Sequence, residues 1–206
     1  IGLHGGTFRR DESQTSVAVP IHQTTSYQFN SAEHAANLFG LKEFGNIYTR
    51  IMNPTTNTLE ERVAALEGGV AGLCVSSGQA ASAFVVQNLC SAGDNIVAST
   101  DLYGGTVNLF SNTLKSMGVE VRYADPSDPK NFEKLIDDKT RLFYAEVLPN
   151  PSLRVFPIKE VADIGRPHGI PLIVDNTACP VICKPIEHGA AIVMHSLTKF
   201  IGGHGN

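Results

Sequence analysis

Short apolar runs alternate with amphipathic segments along most of this chain. The runs predicted to form strands are 72–75, 95–99, 119–123, 141–146, 171–175 and 190–194. The segments predicted to form the helices between them are 79–90, 107–117, 130–136 and 158–166. Strands that alternate with helices imply right-handed crossovers and a mainly parallel sheet with helices on both faces. The predicted fold class is therefore α/β.

The first 54 residues follow a different pattern. They are rich in Gly, Thr, Ser, His and Gln, and contain only one short amphipathic piece, at 31–41. A segment that buries little surface of its own usually packs against the main domain or a second subunit. Asn53-Pro54-Thr55 then predicts a turn and a helix that ends at Gly68-Gly69. We therefore divide the chain into an N-terminal arm, 1–54, and a main domain, 55–206.

Composition excludes several classes of function. The chain has 206 residues, a net charge of -4 and no stripe of Lys and Arg, so nucleic-acid binding is not expected. No apolar run approaches the roughly 18 residues of a membrane span. The four cysteines are predicted to be buried free thiols in a reducing cytoplasm. Cys179 and Cys183 lack a matching second pair, so no metal site is expected.

Lys199 is the first residue that indicates chemistry. It follows the apolar run 190–194 and lies beside Ser196 and Thr198. An amine just past a buried strand is expected to be partly desolvated and therefore partly neutral, and a neutral amine attacks a carbonyl to give a Schiff base. Most lysines are solvated surface charges, so other residues at the same end of the sheet decide between these interpretations.

Asp175 ends the predicted strand 171–175. A carboxylate in this position can pair with a pyridinium nitrogen and keep it protonated, so that the ring accepts electrons. A helix cap or an ordinary loop carboxylate is the alternative. One crossover joins Asp175 to Lys199, so we expect both at the carboxyl edge of the sheet, where ligands bind in such folds.

A predicted helix N-terminus offers a place for a phosphate. Ser77, Gly78 and Gln79 join a predicted strand to a predicted helix. The free backbone amides and the positive end of the helix dipole suit an anion there. Because serine is a common cap residue, an ordinary helix cap is the alternative interpretation.

Four further positions can contribute contacts. Tyr103 follows another predicted strand and can stack on a planar ring or serve in packing. Glu146 and Asn150 follow a further strand and offer polar contacts to a ring hydroxyl. Tyr48 and Arg50 lie in the arm. Arg50 has a fork of donors that suits phosphate; a solvated surface charge is the alternative.

These residues lie within a longer series of motifs. In order they are His4-Gly-Gly, Tyr48-Thr-Arg-Ile-Met-Asn-Pro-Thr55, Leu59-Glu, Ser76-Ser-Gly-Gln, Leu102-Tyr-Gly-Gly-Thr, Asn150-Pro, Val174-Asp-Asn-Thr and His195-Ser-Leu-Thr-Lys. Together they resemble the Cys/Met-metabolism family of fold type I enzymes, which depend on pyridoxal 5'-phosphate (PLP). The resemblance covers essentially the whole chain and implies the fold of a PLP-dependent transferase. That family includes cystathionine synthases and lyases, methionine lyase and the O-acetylhomoserine sulfhydrylases.

The resemblance implies a role for each residue around the cofactor ring. Lys199 would form the Schiff base with PLP and later move protons, together with Tyr103. Asp175 would hold the pyridine nitrogen, Tyr103 would stack on the ring, and Asn150 would approach the 3-oxygen. The main domain is thus implied to be a PLP-binding domain.

The resemblance also implies a phosphate site and an assembly. The residues implied to hold the phosphate are Ser77, Gly78, Gln79, Ser196 and Thr198. Tyr48 and Arg50 would complete the phosphate site of a neighbouring subunit, which accounts for the composition of the arm. The expected assembly is a homotetramer, built as a dimer of dimers.

Within the family, two details favour the sulfhydrylase branch. Ile51-Met52 replaces a pattern common in lyases and cystathionine synthases, and the ending Gly202-Gly-His-Gly-Asn206 is similar to that of sulfhydrylases. The loops 147–149 and 178–180 depart from the residues most common in that branch. The expected reaction converts O-acetylhomoserine and sulfide to homocysteine and acetate, in methionine biosynthesis. Cystathionine γ-synthase and cystathionine or methionine γ-lyase activities remain the alternatives.

Other readings of the chain have less support. Ser196-Leu-Thr-Lys199 spells the Ser-x-x-Lys of serine β-lactamases, but the Ser-Asp-Asn and Lys-Thr-Gly partners do not occur. A PLP-binding domain used only for assembly would not need both Asp175 and Lys199. Members of the family are much longer than this chain, and their arginine for the substrate carboxylate lies in a C-terminal domain. We therefore expect these residues to form the N-terminal part of an enzyme and to be inactive alone.

Overall fold

The computed structural model describes residues 17–205 and contains two compact units, which meet in sequence between Cys74 and Val75. The His4-Gly-Gly motif and Asn206 lie outside the described residues. In the first unit, the amphipathic piece forms α1 (Ala32–Phe39), and the Ser31 side chain accepts a hydrogen bond from the first turn of that helix.

The second helix of the first unit, α2 (Pro54–Glu67), begins and ends where the sequence predicts. The Asn53 side chain accepts the Thr55 N–H, and Gly68 ends the helix in the left-handed conformation, with a φ of 78°. Extended chain is tied to this helix because the Thr55 hydroxyl donates to the Pro20 carbonyl at 2.9 Å. An antiparallel bridge joins Ser26 to Tyr48.

The predicted strand at 72–75 is wrong. No strand of the described chain pairs with it, and the Cys74 N–H donates instead to a carboxylate oxygen of Glu60 on α2, at 2.7 Å. Gly72 also lies against the backbone of Glu60, where an added Cβ would come within 2.5 Å of the Glu60 carbonyl oxygen. The segment is therefore fastened to α2 instead of entering a sheet.

The second unit alternates strands and helices, as predicted. Its elements are α3 (Gly78–Leu89), β1 (Asn95–Ser99), α4 (Gly104–Asn108), β2 (Glu120–Ala124), α5 (Lys130–Glu133), β3 (Thr140–Glu146), α6 (Ile158–Gly165), β4 (Leu172–Asp175) and β5 (Ile192–Met194). The helix predicted at 107–117 begins earlier, as α4, and continues as a π-helix over Leu109–Leu114. Short 3-10 helices cover Arg166–His168 and Pro185–His188.

The five strands form one sheet in the order β2-β1-β3-β4-β5, and every neighbouring pair is parallel. This confirms the predicted parallel sheet. Because parallel strands run in one direction, all their carboxyl ends lie along one edge. Among the described helices, none is long and apolar enough to cross a membrane.

Alternating side chains of β3 pack on the two faces of the sheet. On one face, Phe143 packs edge-on against Phe132 of α5, with ring centroids 5.5 Å apart. On the other face, Tyr144 packs edge-on against Phe110 of the π-helix, with centroids 4.9 Å apart. All four rings are fully buried. Each face therefore has its own apolar core, and helices cover both, as predicted.

Candidate functional site

The carboxyl edge of the sheet brings together most of the residues singled out in the sequence. β3 ends at Glu146 and β4 ends at Asp175, and these two residues are register partners. Asp175 is also the register partner of Met194, the last residue of β5, which leads into the segment that contains Lys199. Four crossovers are thus enough to place distant positions of the sequence side by side.

Asp175 is a mostly buried carboxylate with few partners. It accepts the Thr177 N–H at 2.9 Å. Burial raises the pKa of Asp175, while hydrogen bonds from Thr177 and the positive charges of His195 and Lys199 act in the opposite direction. A buried acceptor of this kind suits a ligand that presents a positively charged N–H group.

Lys199 lies beyond the end of β5, in a turn, and its side chain is exposed. Its ammonium group donates to the Ser196 hydroxyl at 3.3 Å. The expectation of a partly desolvated amine is therefore wrong for the described chain, because β5 ends at Met194 and Lys199 lies in the exposed turn that follows. The charge of Lys199 acts to lower the pKa of Asp175, which is consistent with the expected placement of both residues at this edge.

The N-terminus of α3 packs directly on the segment that contains Lys199. A Cβ added to Gly78 would lie 2.9 Å from the Cβ of Ser196, so only glycine fits without a shift. Ser77 caps the helix by accepting the Ala80 N–H at 3.1 Å. The first amides of an α-helix have no partner within the helix, so those of Gly78 and Gln79 are suited to bind an anion.

The side chains around the α3 N-terminus have different environments. The Gln79 side chain donates to the Thr106 hydroxyl at 3.3 Å, which leaves its backbone amide as the group suited to an anion. Ser196 is half-buried and Thr198 is exposed. The structure therefore places Ser77, Gly78, Gln79 and Ser196 together, with Thr198 on the adjoining turn.

Tyr103 presents its ring at the start of α4, where the residue is half exposed. The ring lies over Gly105, where an added Cβ would come within 2.4 Å of a ring carbon. The Tyr103 N–H donates to a carboxylate oxygen of Glu146 at 2.6 Å. The backbone of Tyr103 is thus held by Glu146, while its ring remains accessible for stacking.

Glu146 is buried, and its carboxylate is directed to backbone groups. It accepts the Tyr103 N–H, and the Asn150 N–H lies near enough to lower its pKa. Burial raises the pKa of Glu146 to about 7, the charge of Asp175 raises it further, and the two N–H groups act in the opposite direction. Asn150 itself is exposed and precedes a cis peptide bond to Pro151.

Tyr48 and Arg50 lie in the first unit. The Arg50 guanidinium carbon is 5.6 Å from the centroid of the Tyr48 ring, which is the distance of a cation–π contact. Both residues line an open cavity of about 380 Å³. The two residues singled out in the arm therefore act as a neighbouring aromatic and cationic pair.

Thr177 is a site residue that sequence reasoning missed. Its N–H donates to Asp175, and its hydroxyl accepts the Ser196 N–H at 2.8 Å. It therefore links the loop after β4 to the segment after β5. The sequence signal was the Asp-x-Thr spacing, since an Asp side chain often accepts the N–H two residues later.

The donor set fits a planar, phosphorylated pyridine aldehyde. The Asp175 carboxylate is suited to a pyridinium N–H, an accessible tyrosine ring can cover a planar group, and a helix N-terminus with hydroxyls suits a phosphate. Lys199 offers an amine for the aldehyde at the same edge. Within the described residues, no group of His, Cys, Asp and Glu is arranged to hold a metal ion.

Comparisons with known proteins agree with this donor set. The family described as Cys/Met metabolism PLP-dependent enzyme matches residues 2–206. The chain is 56% identical over 206 residues to an O-acetyl-L-homoserine sulfhydrylase of Leptospira meyeri, covering 100% of this chain and 46% of that protein. It is 50% identical over 205 residues to a homocysteine/cysteine synthase of Kluyveromyces lactis, covering 98% and 46% respectively.

A solved structure shows the same fold. It belongs to a protein of Campylobacter jejuni described as an O-acetylhomoserine (thiol)-lyase, and it contains N'-pyridoxyl-lysine-5'-monophosphate. The TM-score is 0.95 at 41% identity, covering 100% of this chain and 51% of that one. The chain spans about half the length of the curated relatives it matches.

Proposed function

The chain belongs to the Cys/Met metabolism family of PLP-dependent enzymes, and we propose that it is the cofactor-binding part of an O-acetylhomoserine sulfhydrylase. The reaction converts O-acetylhomoserine and sulfide to homocysteine and acetate, a step of methionine biosynthesis. The observation that supports this most is the 56% identity, over the whole chain, to the sulfhydrylase of Leptospira meyeri.

Asp175 and Lys199 would hold the cofactor through two different groups, its pyridine nitrogen and its aldehyde. When bound, PLP supplies an electron sink for the negative charge that develops on the substrate's α-carbon. The buried Asp175 carboxylate would keep the proton on the pyridine nitrogen. Lys199 Nζ would supply the amine that binds the aldehyde, and would accept the proton from Cα of the substrate.

The residues at the α3 N-terminus would orient the cofactor by its phosphate. The backbone amides of Gly78 and Gln79 would donate to it, together with the hydroxyls of Ser77, Ser196 and Thr198. The close packing of Gly78 on Ser196 supports this role, because it places the helix start beside the segment that contains Lys199.

Tyr103 and Asn150 would fix the ring itself. The half-exposed Tyr103 ring would stack on the pyridine and take part in the proton relay with Lys199. Asn150 would approach the 3-oxygen from the loop after β3. Stacking would also exclude water from one face of the ring, so that protons taken from Cα and Cβ of the substrate are less readily lost to solvent.

The arm would serve a neighbouring subunit. Tyr48 and Arg50 would bind the phosphate of that subunit's cofactor, in a homotetramer built as a dimer of dimers. The exposed apolar side chains of the arm, among them Phe44 at 96% exposure, support a partner surface. The partners are otherwise small molecules, namely the amino-acid substrate and a sulfur donor, and the four free thiols suit a cytoplasmic location.

The function is tested on the full-length protein with PLP and O-acetylhomoserine, with products identified under sulfide, cysteine or no thiol. Homocysteine formed only with sulfide is the expected result. Cystathionine, or an α-keto acid formed without thiol, would replace the sulfhydrylase with a synthase or a lyase. Lys199→Ala is expected to abolish turnover, whereas the exposed control Lys115→Ala is expected to keep it.

The assignment of the arm to a neighbouring subunit is tested by subunit mixing. Arg50→Ala and Lys199→Ala proteins are each expected to have little activity. If Arg50 serves the neighbouring site, mixed assemblies contain some sites with both residues intact, so mixing restores part of the activity. Activity that stays at the level of the separate variants would show that Arg50 serves its own subunit.

A further inference from the structure

Glu146 lies where two loops of the candidate site meet. It is the last residue of β3, only 7% exposed, and is the register partner of Asp175. Its carboxylate accepts the Tyr103 N–H, from the loop after β1, at 2.6 Å. It also lies near enough to the Asn150 N–H, from the loop after β3, for that group to lower its pKa. One side chain therefore holds the backbone of both residues assigned to the cofactor ring.

The chemistry of the carboxylate suits this task. A carboxyl group has two oxygens, so it can face N–H donors from two directions. The bond from Tyr103 is 2.6 Å long. Burying a carboxylate is unfavourable without such partners. The two loops and Glu146 thus depend on one another.

The contacts of Glu146 indicate that it holds other residues in place and does not touch the reacting groups itself. The partners of Glu146 are backbone amides, while the Tyr103 ring points away over Gly105. Glu146 therefore reaches the cofactor through the residues it holds. On β4, the neighbouring Asp175 is half-buried, so two carboxylates share this edge of the sheet.

We propose that Glu146 is a positioning residue. It fixes the backbone of Tyr103 and Asn150 so that Tyr103 can cover the cofactor ring and Asn150 can reach its 3-oxygen. The cofactor roles of Tyr103 and Asn150 rest on the proposed function. The bracing of the two loops by Glu146 does not.

The test uses full-length protein and three variants. Glu146→Ala removes both acceptors, and Glu146→Gln keeps one acceptor oxygen in the same shape. Glu133→Gln is the matched control, because it makes the same change at an exposed position of α5. Hydrogen exchange, followed by mass spectrometry of peptides that cover 101–106 and 147–152, is measured on cofactor-free protein. PLP affinity is measured by absorbance titration.

In Glu146→Ala, exchange is expected to accelerate at both loops and PLP affinity to fall by about tenfold or more, as loss of hydrogen bonds to a charged group implies. Glu146→Gln is expected to fall between wild type and Glu146→Ala in both measurements, and Glu133→Gln to match wild type. Should Glu146→Ala not fold, the hydrogen exchange of Glu146→Gln at the two loops decides whether Glu146 braces them.

Two results would overturn the proposal: wild-type exchange at both loops in the Glu146 variants, or acceleration at one loop only. If the wild-type protein does not bind PLP, the proposed function fails. The exchange of the two loops still decides whether Glu146 braces them.

Discussion

A buried hydrogen bond between Ser82 and Tyr144 anchors the first turn of α3 to the sheet. The two hydroxyl oxygens are 2.8 Å apart, and both residues are 0% exposed. The Ser82 hydroxyl is also 3.3 Å from the Gly78 carbonyl oxygen. Burial raises the pKa of Tyr144 well above its ordinary value, so its hydroxyl stays protonated. Removing either hydroxyl should therefore destabilise the fold, but by different amounts.

Ser82→Ala is expected to be the more damaging change. It leaves the Tyr144 hydroxyl buried without its partner, which costs about 1–3 kcal/mol of unfolding free energy. Tyr144→Phe leaves Ser82 with the Gly78 carbonyl, so the expected cost is about 0.5–1.5 kcal/mol. The double variant has neither hydroxyl and should be no less stable than Ser82→Ala, which is a favourable coupling.

The assay is urea denaturation of the full-length protein and the three variants, compared by their midpoints. Tyr123→Phe is the matched control, since its hydroxyl lies 2.9 Å from that of Ser111 at the surface. It is expected to change stability by no more than about 0.5 kcal/mol. The reasoning assumes that Tyr144 donates to Ser82 and that Ser82 donates to the Gly78 carbonyl. If Tyr144→Phe were the less stable single variant, or if the two losses simply added, this arrangement of donors would be refuted.

Three further results are expected. Gly78→Ala should weaken PLP binding, because its Cβ would lie 2.9 Å from the Cβ of Ser196. Gly104→Ala is the control and should not weaken it, because the space around Gly104 is open. An absorbance titration compares the PLP affinities of the two variants. Asp175→Asn should likewise lower PLP affinity in that titration, since the amide cannot balance a pyridinium charge. Burial raises the pKa of Glu146 from 4.5 to about 7, so its folded form holds the proton more tightly than the unfolded chain. Its stabilising contribution should be complete below pH about 4.5 and disappear by pH about 7. In urea titrations, wild type should therefore lose stability relative to Glu146→Gln as the pH rises. A difference in stability that stays constant with pH would contradict this.

The sequence predicted the sheet well because its strands are buried on both faces. Such strands appear as short apolar runs, and the run at 141–146 became β3 almost unchanged. The run at 72–75 looks similar but forms no strand, since the Cys74 N–H is taken by Glu60. A strand requires a neighbouring strand, and an apolar run does not show which backbone groups will be nearby.

The sequence also predicted which residues gather at the site, though not how each is used. Parallel strands bring their carboxyl ends to one edge, so the positions of Asp175 and Lys199 follow from counting crossovers. Exposure follows from the path of the chain after the strand, and the turn after Met194 leaves Lys199 in solvent. Thr177 was missed for the same reason, because its link to Ser196 exists only once two loops are adjacent.

Glu146 shows most clearly what sequence reasoning cannot reach. A carboxylate at the end of a strand is chemically suited to contact a ligand, which is why the sequence suggested a contact with a ring hydroxyl. Its actual partners depend on the nearest donors, and here these are the Tyr103 and Asn150 amides. Because the contacts of Glu146 are with these loops, we expect it to shape the site through them.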